Sequence, residues 1–287
     1  MPQSALPFQY QAEKTDSGLT GFAGLPLYIE LAVQSGLVEY INQTMKTKVR
    51  GWTDAEIILS LVLLNLAGGD CISDIERLEQ DAGLRMLLMQ FATHGMKRKE
   101  RRAFERRWRR AKSRGLPSNA AIHRYLPQFH SPEEEKNRVE GEVFIPQPNN
   151  KLSALLSLNK PLIACVQQQS PSSTATLDQD ATLTNTYKRK ALLPSNLFWA
   201  NAAWWAVMVL SFNLNRLMQI AALPTDLKES KMKALRFHVI QLPGRVIHHA
   251  RKVYVRVEGY SCDLLQLIRT KISKVRSGME MYVVNTS

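Results

Sequence analysis

Thr53-Asp-Ala-Glu-Ile-Ile-Leu-Ser-Leu-Val-Leu-Leu-Asn-Leu66 begins with a capping box and continues as a helix that is apolar on nearly every face. The Thr53 hydroxyl and the Glu56 carboxylate each satisfy a free backbone N–H of the first turn. A helix with no polar face has nothing to offer water, so it belongs at the centre of a helical core. Gly68-Gly69 ends it, because glycine takes the left-handed conformation that terminates helices.

Helical patterns dominate on both sides of this segment. Upstream they begin at Leu25, and the polar residues 1–20 are expected to be loose. Downstream, Ser73-Asp-Ile-Glu76 reads as a second capping box, followed by Leu78, Leu84, Leu87 and Leu88. Ser118 is placed to cap a helix carrying Ile122, Arg124, Tyr125, Leu126 and Phe129. Ser131-Pro-Glu-Glu134 opens a short helix with proline at its first position. Residues 141–173 read as loop, punctuated by Pro146, Pro148, Pro161 and Pro171, with helical character only at 152–158. A domain boundary is expected near residue 150, one or two domains being usual for 287 residues.

The charge is distributed unevenly. The chain carries a net +13 and a pI near 9.8, which favours a polyanionic partner, nucleic acid or an anionic membrane surface. Most of the excess lies in residues 97–114. There Lys97, Arg98, Lys99, Arg101, Arg102, Arg106, Arg107, Arg109, Arg110, Lys112 and Arg114 face only Glu100 and Glu105. The segment holds good helix formers and no Gly or Pro until Gly115. Phe104 and Trp108, four apart, share one helix face and would dock it to the protein, leaving the cations for phosphates. Such a cluster specifies no base sequence, which requires contacts to base edges. The alternative is a solvated basic helix without a partner.

Residues 197–212 form an uncharged apolar run that approaches membrane-spanning length with its flanks. Asn196, Asn201, Asn213 and Asn215 dot it and Arg216 closes it, so a buried helix of a soluble protein is expected. Further on, residues 237–242 and 252–257 read as two short strands or a hairpin around Pro243-Gly244. Residues 262–275 read as an amphipathic helix with Leu264, Leu265, Leu267, Ile268 and Ile272 on its apolar side. Cys71, Cys165 and Cys262 lie far apart, which suits a reducing cytosol and argues against a zinc site or disulfide framework. Residues 1–30 lack the basic and apolar regions of a secretory signal, so a cytoplasmic protein is expected.

Chemistry-bearing residues are few. Thr174-Ala-Thr-Leu-Asp-Gln-Asp-Ala-Thr182 reads as a strand ending in two carboxylates. Asp178 and Asp180 would project from the same face about 7 Å apart, which suits one metal ligand and one supporting group. A plain strand-end turn, where aspartate is common, is the competing reading. No acid follows until Asp226, whereas a two-metal site needs several carboxylates converging from separate elements. His248 and His249, adjacent on a strand, would point to opposite faces and cannot easily share a metal. Glu258 and Asp263 read as exposed loop positions. No Gly-rich phosphate loop or serine nucleophile elbow is present.

Four ordered matches carry a family resemblance. They are Gly68-Gly-Asp-Cys-Ile-Ser-Asp-Ile-Glu-Arg-Leu78 with Asp81-Ala-Gly-Leu84, and Leu116-Pro-Ser-Asn-Ala-Ala-Ile-His-Arg-Tyr-Leu126 with Phe129. The third is Ala175-Thr-Leu-Asp-Gln-Asp-Ala-Thr182. The fourth is Leu193-Pro-Ser-Asn-Leu-Phe-Trp-Ala-Asn-Ala-Ala-Trp204, with Asn213-Leu-Asn215 and Leu242-Pro-Gly-Arg-Val-Ile-His-His-Ala-Arg251. In this order the chain resembles bacterial insertion-sequence transposases of the DDE type, the group-1 transposase DDE domain. The resemblance implies an α+β, mainly helical protein: a loose N-terminus over 1–20, a helical, basic, DNA-binding region over 21–150, and over 151–287 a truncated ribonuclease-H-like DDE domain with few strands. It implies duplex DNA, the ends of an insertion sequence, as partner, with homo-oligomers or mixed oligomers with an intact transposase, and no membrane. The family cuts and joins DNA strands with Mg²⁺ held by two aspartates and a glutamate. Asp180, in Asp-Ala-Thr, takes the place of the first aspartate, with Asp178 the runner-up. The second aspartate and the glutamate would fall between that strand and the Leu-Pro-Ser motif, where residues 183–192 contain no acid. An internal deletion joined between about Tyr187 and Leu193 accounts for this. The expectation is a protein of DNA transposition that binds DNA but lacks a complete cutting site. The alternatives are a pseudogene product without activity, or an inhibitor of an intact transposase.

Overall fold

The computed structural model describes residues 18–48, 50–93, 96–110, 114–137, 139, 141–142, 147–171, 195, 197–249 and 252–277, with backbone only at 107–110, 248 and 252. The chain is mainly helical, with one small three-stranded antiparallel sheet. The helices, in order, are α1 (Leu25–Gln34), α2 (Leu37–Thr44), α3 (Asp54–Leu66), α4 (Ile75–Glu79), α5 (Ala82–Ala92), α6 (Arg98–Arg110) and α7 (Asn119–Tyr125). Then follow α8 (Pro132–Glu135), α9 (Asn150–Ser157), α10 (Lys160–Gln169), α11 (Phe198–Ala221), α12 (Met232–Leu235) and α13 (Gly259–Ile272). The sheet joins β1 (Leu19–Thr20), β2 (Gly244–His249) and β3 (Lys252–Arg256) in that order.

The centre is α3 crossed by α11. The capping box of α3 is in place: Glu56 N donates to Thr53 Oγ1 at 3.2 Å and Thr53 N donates to Glu56 Oε2 at 2.7 Å. At its far end Gly68 has φ +87°, and Gly69 N donates to Leu64 O at 2.9 Å. Ile57, Ile58, Leu61, Val62 and Leu64 are all buried, as a helix apolar all round requires. Twenty-four residues make α11 about 36 Å long, enough to pack on α3, α9, α10, α1 and the 3₁₀ turn Leu126–Phe129. No helix among the described residues is long and apolar enough to cross a membrane. Two of the asparagines that interrupt the apolar run of α11 make tertiary bonds. Tyr28 Oη donates to Asn215 Oδ1 at 2.8 Å, and Asn213 Nδ2 to Asn159 Oδ1 at 2.7 Å.

The first and last described segments converge on this core. β1 pairs with β2, placing Leu19 opposite Arg245, and α1 packs on α13. Gln34 Nε2 donates to Val275 O at 3.0 Å, and Arg269 pairs with Glu30 at 3.0 Å. Gly24 permits the crossing of α1 with the C-terminal segment: a Cβ there would overlap the Val239 carbonyl oxygen.

Several expectations are corrected. Residues 19–20 are not loose but form an edge strand. The second capping box is built two residues earlier: Cys71 is its N-cap and Asp74, not Glu76, its acid, accepting from Asp70 N at 2.9 Å and Cys71 N at 3.1 Å, because Ile72–Asp74 is a 3₁₀ turn ahead of α4. Residues 160–169 form α10, with Pro161 in its first turn, where the missing N–H costs nothing. Residues 236–240 are a π-helical turn rather than a strand. Arg236 reaches back from it to the free carbonyls of α3, donating to Leu66 O at 3.0 Å and Asn65 O at 2.9 Å. The hairpin lies further on, at β2 and β3, in the register Arg245↔Arg256 and Ile247↔Tyr254. The last helix starts three residues early, at Gly259. It places Asp263 on its exposed surface rather than in a loop, and leaves Leu267 45% exposed.

One face of α11 faces solvent. Trp204 is 6% exposed and its neighbour Trp205 is 63% exposed. Trp204→Ala should therefore cost about 3–5 kcal/mol, whereas Trp205→Ala should stay within about 0.5 kcal/mol. Urea unfolding of the two variants checks this; equal losses would show that Trp205 is covered in solution.

Candidate nucleic-acid interface

The segment of highest positive charge forms α6. Its first turn is tied by Lys97 N, which donates to Glu100 Oε2 at 3.1 Å. Lys97, Arg98, Lys99, Arg101, Arg102 and Arg106 are all exposed. Arg101 pairs with Glu105 at 3.7 Å, an i,i+4 contact of the weak exposed kind. Arg106 Nε donates to Arg102 O at 3.3 Å. Arg107, Arg109 and Arg110 continue the helix in backbone, while Lys112 lies outside the described residues.

Phe104 is partly buried at a cleft of about 630 Å³. Trp52, Leu59, Leu63, Leu88 and Phe91 also line it. Phe104, expected to dock the helix, thus stands at a cleft whose other apolar side chains come from α3, α5 and the segment before α3. The side chain of Trp108 lies outside the described residues.

Beyond the C-terminal end of α6 the chain is clamped. Arg114 makes a bidentate pair with Glu76, at 2.9 Å on each arm, and donates to Leu116 O at 3.1 Å. Its guanidinium is committed inward, unlike those of Arg98 or Arg102. Glu79, one turn along α4, accepts from Gly115 N at 3.0 Å and Leu116 N at 2.9 Å. Arg85 stands 3.6 Å from Glu79, close enough for ion pairing but too long for a hydrogen bond. Burial pushes the Glu79 carboxyl up from its ordinary value, against the opposing pull of those N–H groups and of Arg114 and Arg85. Sequence reading missed this clamp. Its signal was two acids three apart, Glu76 and Glu79, on one face of a helix in a strongly basic protein.

Asp178 and Asp180 lie outside the described residues. Among the described residues no three His, Cys, Asp or Glu side chains converge as a metal site, the convergence that a pair of Mg²⁺ ions requires. The described acids of the N-terminal half serve the fold: Asp54, Asp74 and Asp81 each accept backbone N–H groups at helix starts. None of the three cysteines forms a disulfide. No family model, curated protein or solved structure matches the chain.

Proposed function

We propose that this chain is a transposase-family protein that holds duplex DNA against α6 and does not cut it. One observation carries the reading. The basic helix brings Phe104 to the cleft, the Arg114–Glu76 pair anchors the chain beyond its end, and Lys97, Arg98, Lys99, Arg102 and Arg106 stand in solvent. Cations carried on a helix meet phosphates at a smaller ordering cost than cations on a loose tail. The net charge of +13 and the four ordered motifs support the same reading.

The finer parts of the resemblance belong here too. Residues 151–287 are read as what remains of a ribonuclease-H-like DDE domain, with α11 as the helix that begins after its Leu-Pro-Ser-Asn motif. Asp180, and next Asp178, stand for the first metal-binding acid, without the two that complete it. The site of action is the bacterial nucleoid, and binding at insertion-sequence ends would compete with an intact transposase.

A second reading, a product without activity of its own, is favoured by the solvent face of α11. Phe198, Trp205 and Phe212 recur every seven residues and are 51%, 63% and 67% exposed. Such a stripe suits a missing cover or self-association. A monodisperse species by sedimentation, with cooperative unfolding, would count against it.

The deciding assay places purified protein with supercoiled plasmid and Mg²⁺ or Mn²⁺, beside an Asp178→Asn/Asp180→Asn control. The expected result is a salt-dependent shift of duplex DNA with the plasmid left intact. Nicking that disappears in the control would overturn the non-cutting half of the proposal, and absence of any shift the binding half.

A further inference from the structure

The β2–β3 hairpin has two unlike faces. On the lower face Val246 is 2% exposed and the strand packs on α5. On the upper face Arg245, His249, Tyr254 and Arg256 are exposed, with Ile247 partly so. The register sets Arg245 directly opposite Arg256, and Ile247 opposite Tyr254. Like charges directly across an antiparallel pair destabilise it. No carboxylate among the described residues lies at ion-pair distance from either arginine. Protection of a free sheet edge would explain a cation on β3, the edge strand, but not one on β2, which lies between its neighbours.

We propose that this hairpin is a second DNA-contacting surface, a two-stranded ribbon that lays Arg245, Tyr254 and Arg256 against a duplex. The inference rests on the reading that the chain binds DNA through α6. Two strands lie about 4.8 Å apart, and the four steps from Arg245 to His249 span about 13 Å. A ribbon two strands wide enters a major groove about 12 Å across. The uncompensated Arg245–Arg256 pair then meets phosphates on release of counterions, and Tyr254 with Ile247 supplies an apolar centre between the cations.

The mounting of the hairpin places it close to the cleft at α6. α5 packs beneath β1 and β2, where a Cβ at Gly83 would sit 2.8 Å from Thr20 Cβ. Asp81, its N-cap, accepts from Leu84 N at 2.7 Å and also from Gly21 N at 2.8 Å, just after β1. The same helix gives Leu88 and Phe91 to the cleft that Phe104 also lines. At eleven residues α5 is about 16 Å long, so the hairpin and that cleft lie along one short helix. Two such contacts on one duplex reinforce one another without a new interface.

The test compares the full-length protein with Arg245→Ala/Arg256→Ala, and with an α6 variant, by gel shift on 30-bp and 8-bp duplexes across a salt series. On the long duplex the hairpin variant should bind about tenfold more weakly, with a salt slope shallower by about two. On the short duplex, which one element can fill, the difference should shrink. Thermal unfolding should be unchanged or raised, since a repulsive pair has been removed; a lowered midpoint would make the arginines structural and overturn the proposal. Unchanged affinity and slope, beside an α6 variant that does lose binding, would overturn the ribbon and leave the DNA reading standing. Failure of the unaltered protein to shift any duplex would overturn both. If the hairpin substitutions abolish binding to anionic phospholipid vesicles while DNA binding stays intact, the surface faces lipid and the proposal fails.

Discussion

Replacing Arg98, Lys99, Arg101, Arg102 and Arg106 together by alanine is expected to weaken duplex binding by about 10²–10³-fold at moderate salt, and to flatten its salt dependence. Each phosphate that a cation neutralises adds roughly 0.9 to the steepness of log K against log salt, so removing five cations lowers it by about 4 to 5. Alanine keeps the helix, being the strongest helix former, and the Arg101–Glu105 pair given up is exposed and worth little. Phe104 and the Arg114–Glu76 clamp are untouched. The weakening should be the same for duplexes of any sequence, because phosphate contacts carry no base information. An all-lysine version of the same positions should retain the slope. If the alanine protein keeps both affinity and slope while its circular dichroism is native, α6 is not the DNA-binding element.

Features with a local cause are legible in the sequence. The Thr53–Glu56 box, the Gly68 stop and the Ser118 cap each depend on residues within four positions, and all three stand in the structure. The asparagines of 197–212 and its flanks mark a core helix, and Asn215 does bond across the core to Tyr28. What is not legible depends on partners far along the chain. Residues 236–240 have strand-forming side chains, but Arg236 and Gln241 are recruited to the carbonyls of Asn65, Leu66 and Ala67 at the end of α3, and the backbone follows as a π-helical turn. Likewise Leu19 and Thr20 become a strand only because Arg245 and Gly244 lie beside them. The basic helix is visible in composition alone. The clamp that follows it is not, since Glu76 has the spacing of a capping box and is instead the partner of Arg114, 38 positions away.

Asp54→Ala is expected to damage the fold as severely as the loss of a large core side chain. The side chain is 7% exposed and satisfies three donors at once. Its Oδ2 accepts from Thr47 N at 3.0 Å and Lys48 N at 3.1 Å, and its Oδ1 from Tyr125 Oη at 2.7 Å. It thereby ties the segment before α3 and the end of α7 to the start of the central helix, where its charge also suits the helix dipole. Removing it strands two backbone N–H groups and a buried phenol, each worth about 1–3 kcal/mol when left unpaired, so a total near 3–5 kcal/mol is expected. Tyr125→Phe removes only one of the three donors, leaves Asp54 Oδ1 without its partner while Oδ2 keeps both of its own, and should cost about 1–2 kcal/mol. Burial first, and then the bond to and charge of Asp54, push the Tyr125 phenol far above its ordinary pKa, so it remains a donor throughout the stable range. The double variant should cost less than the sum of the two, because Tyr125→Phe takes away one of the groups that Asp54→Ala orphans. Urea unfolding of the three proteins measures this. Simple additivity would mean that Tyr125 and Asp54 do not share a hydrogen bond in solution, and a destabilisation below about 1 kcal/mol for Asp54→Ala would mean that water reaches the N–H groups it now satisfies.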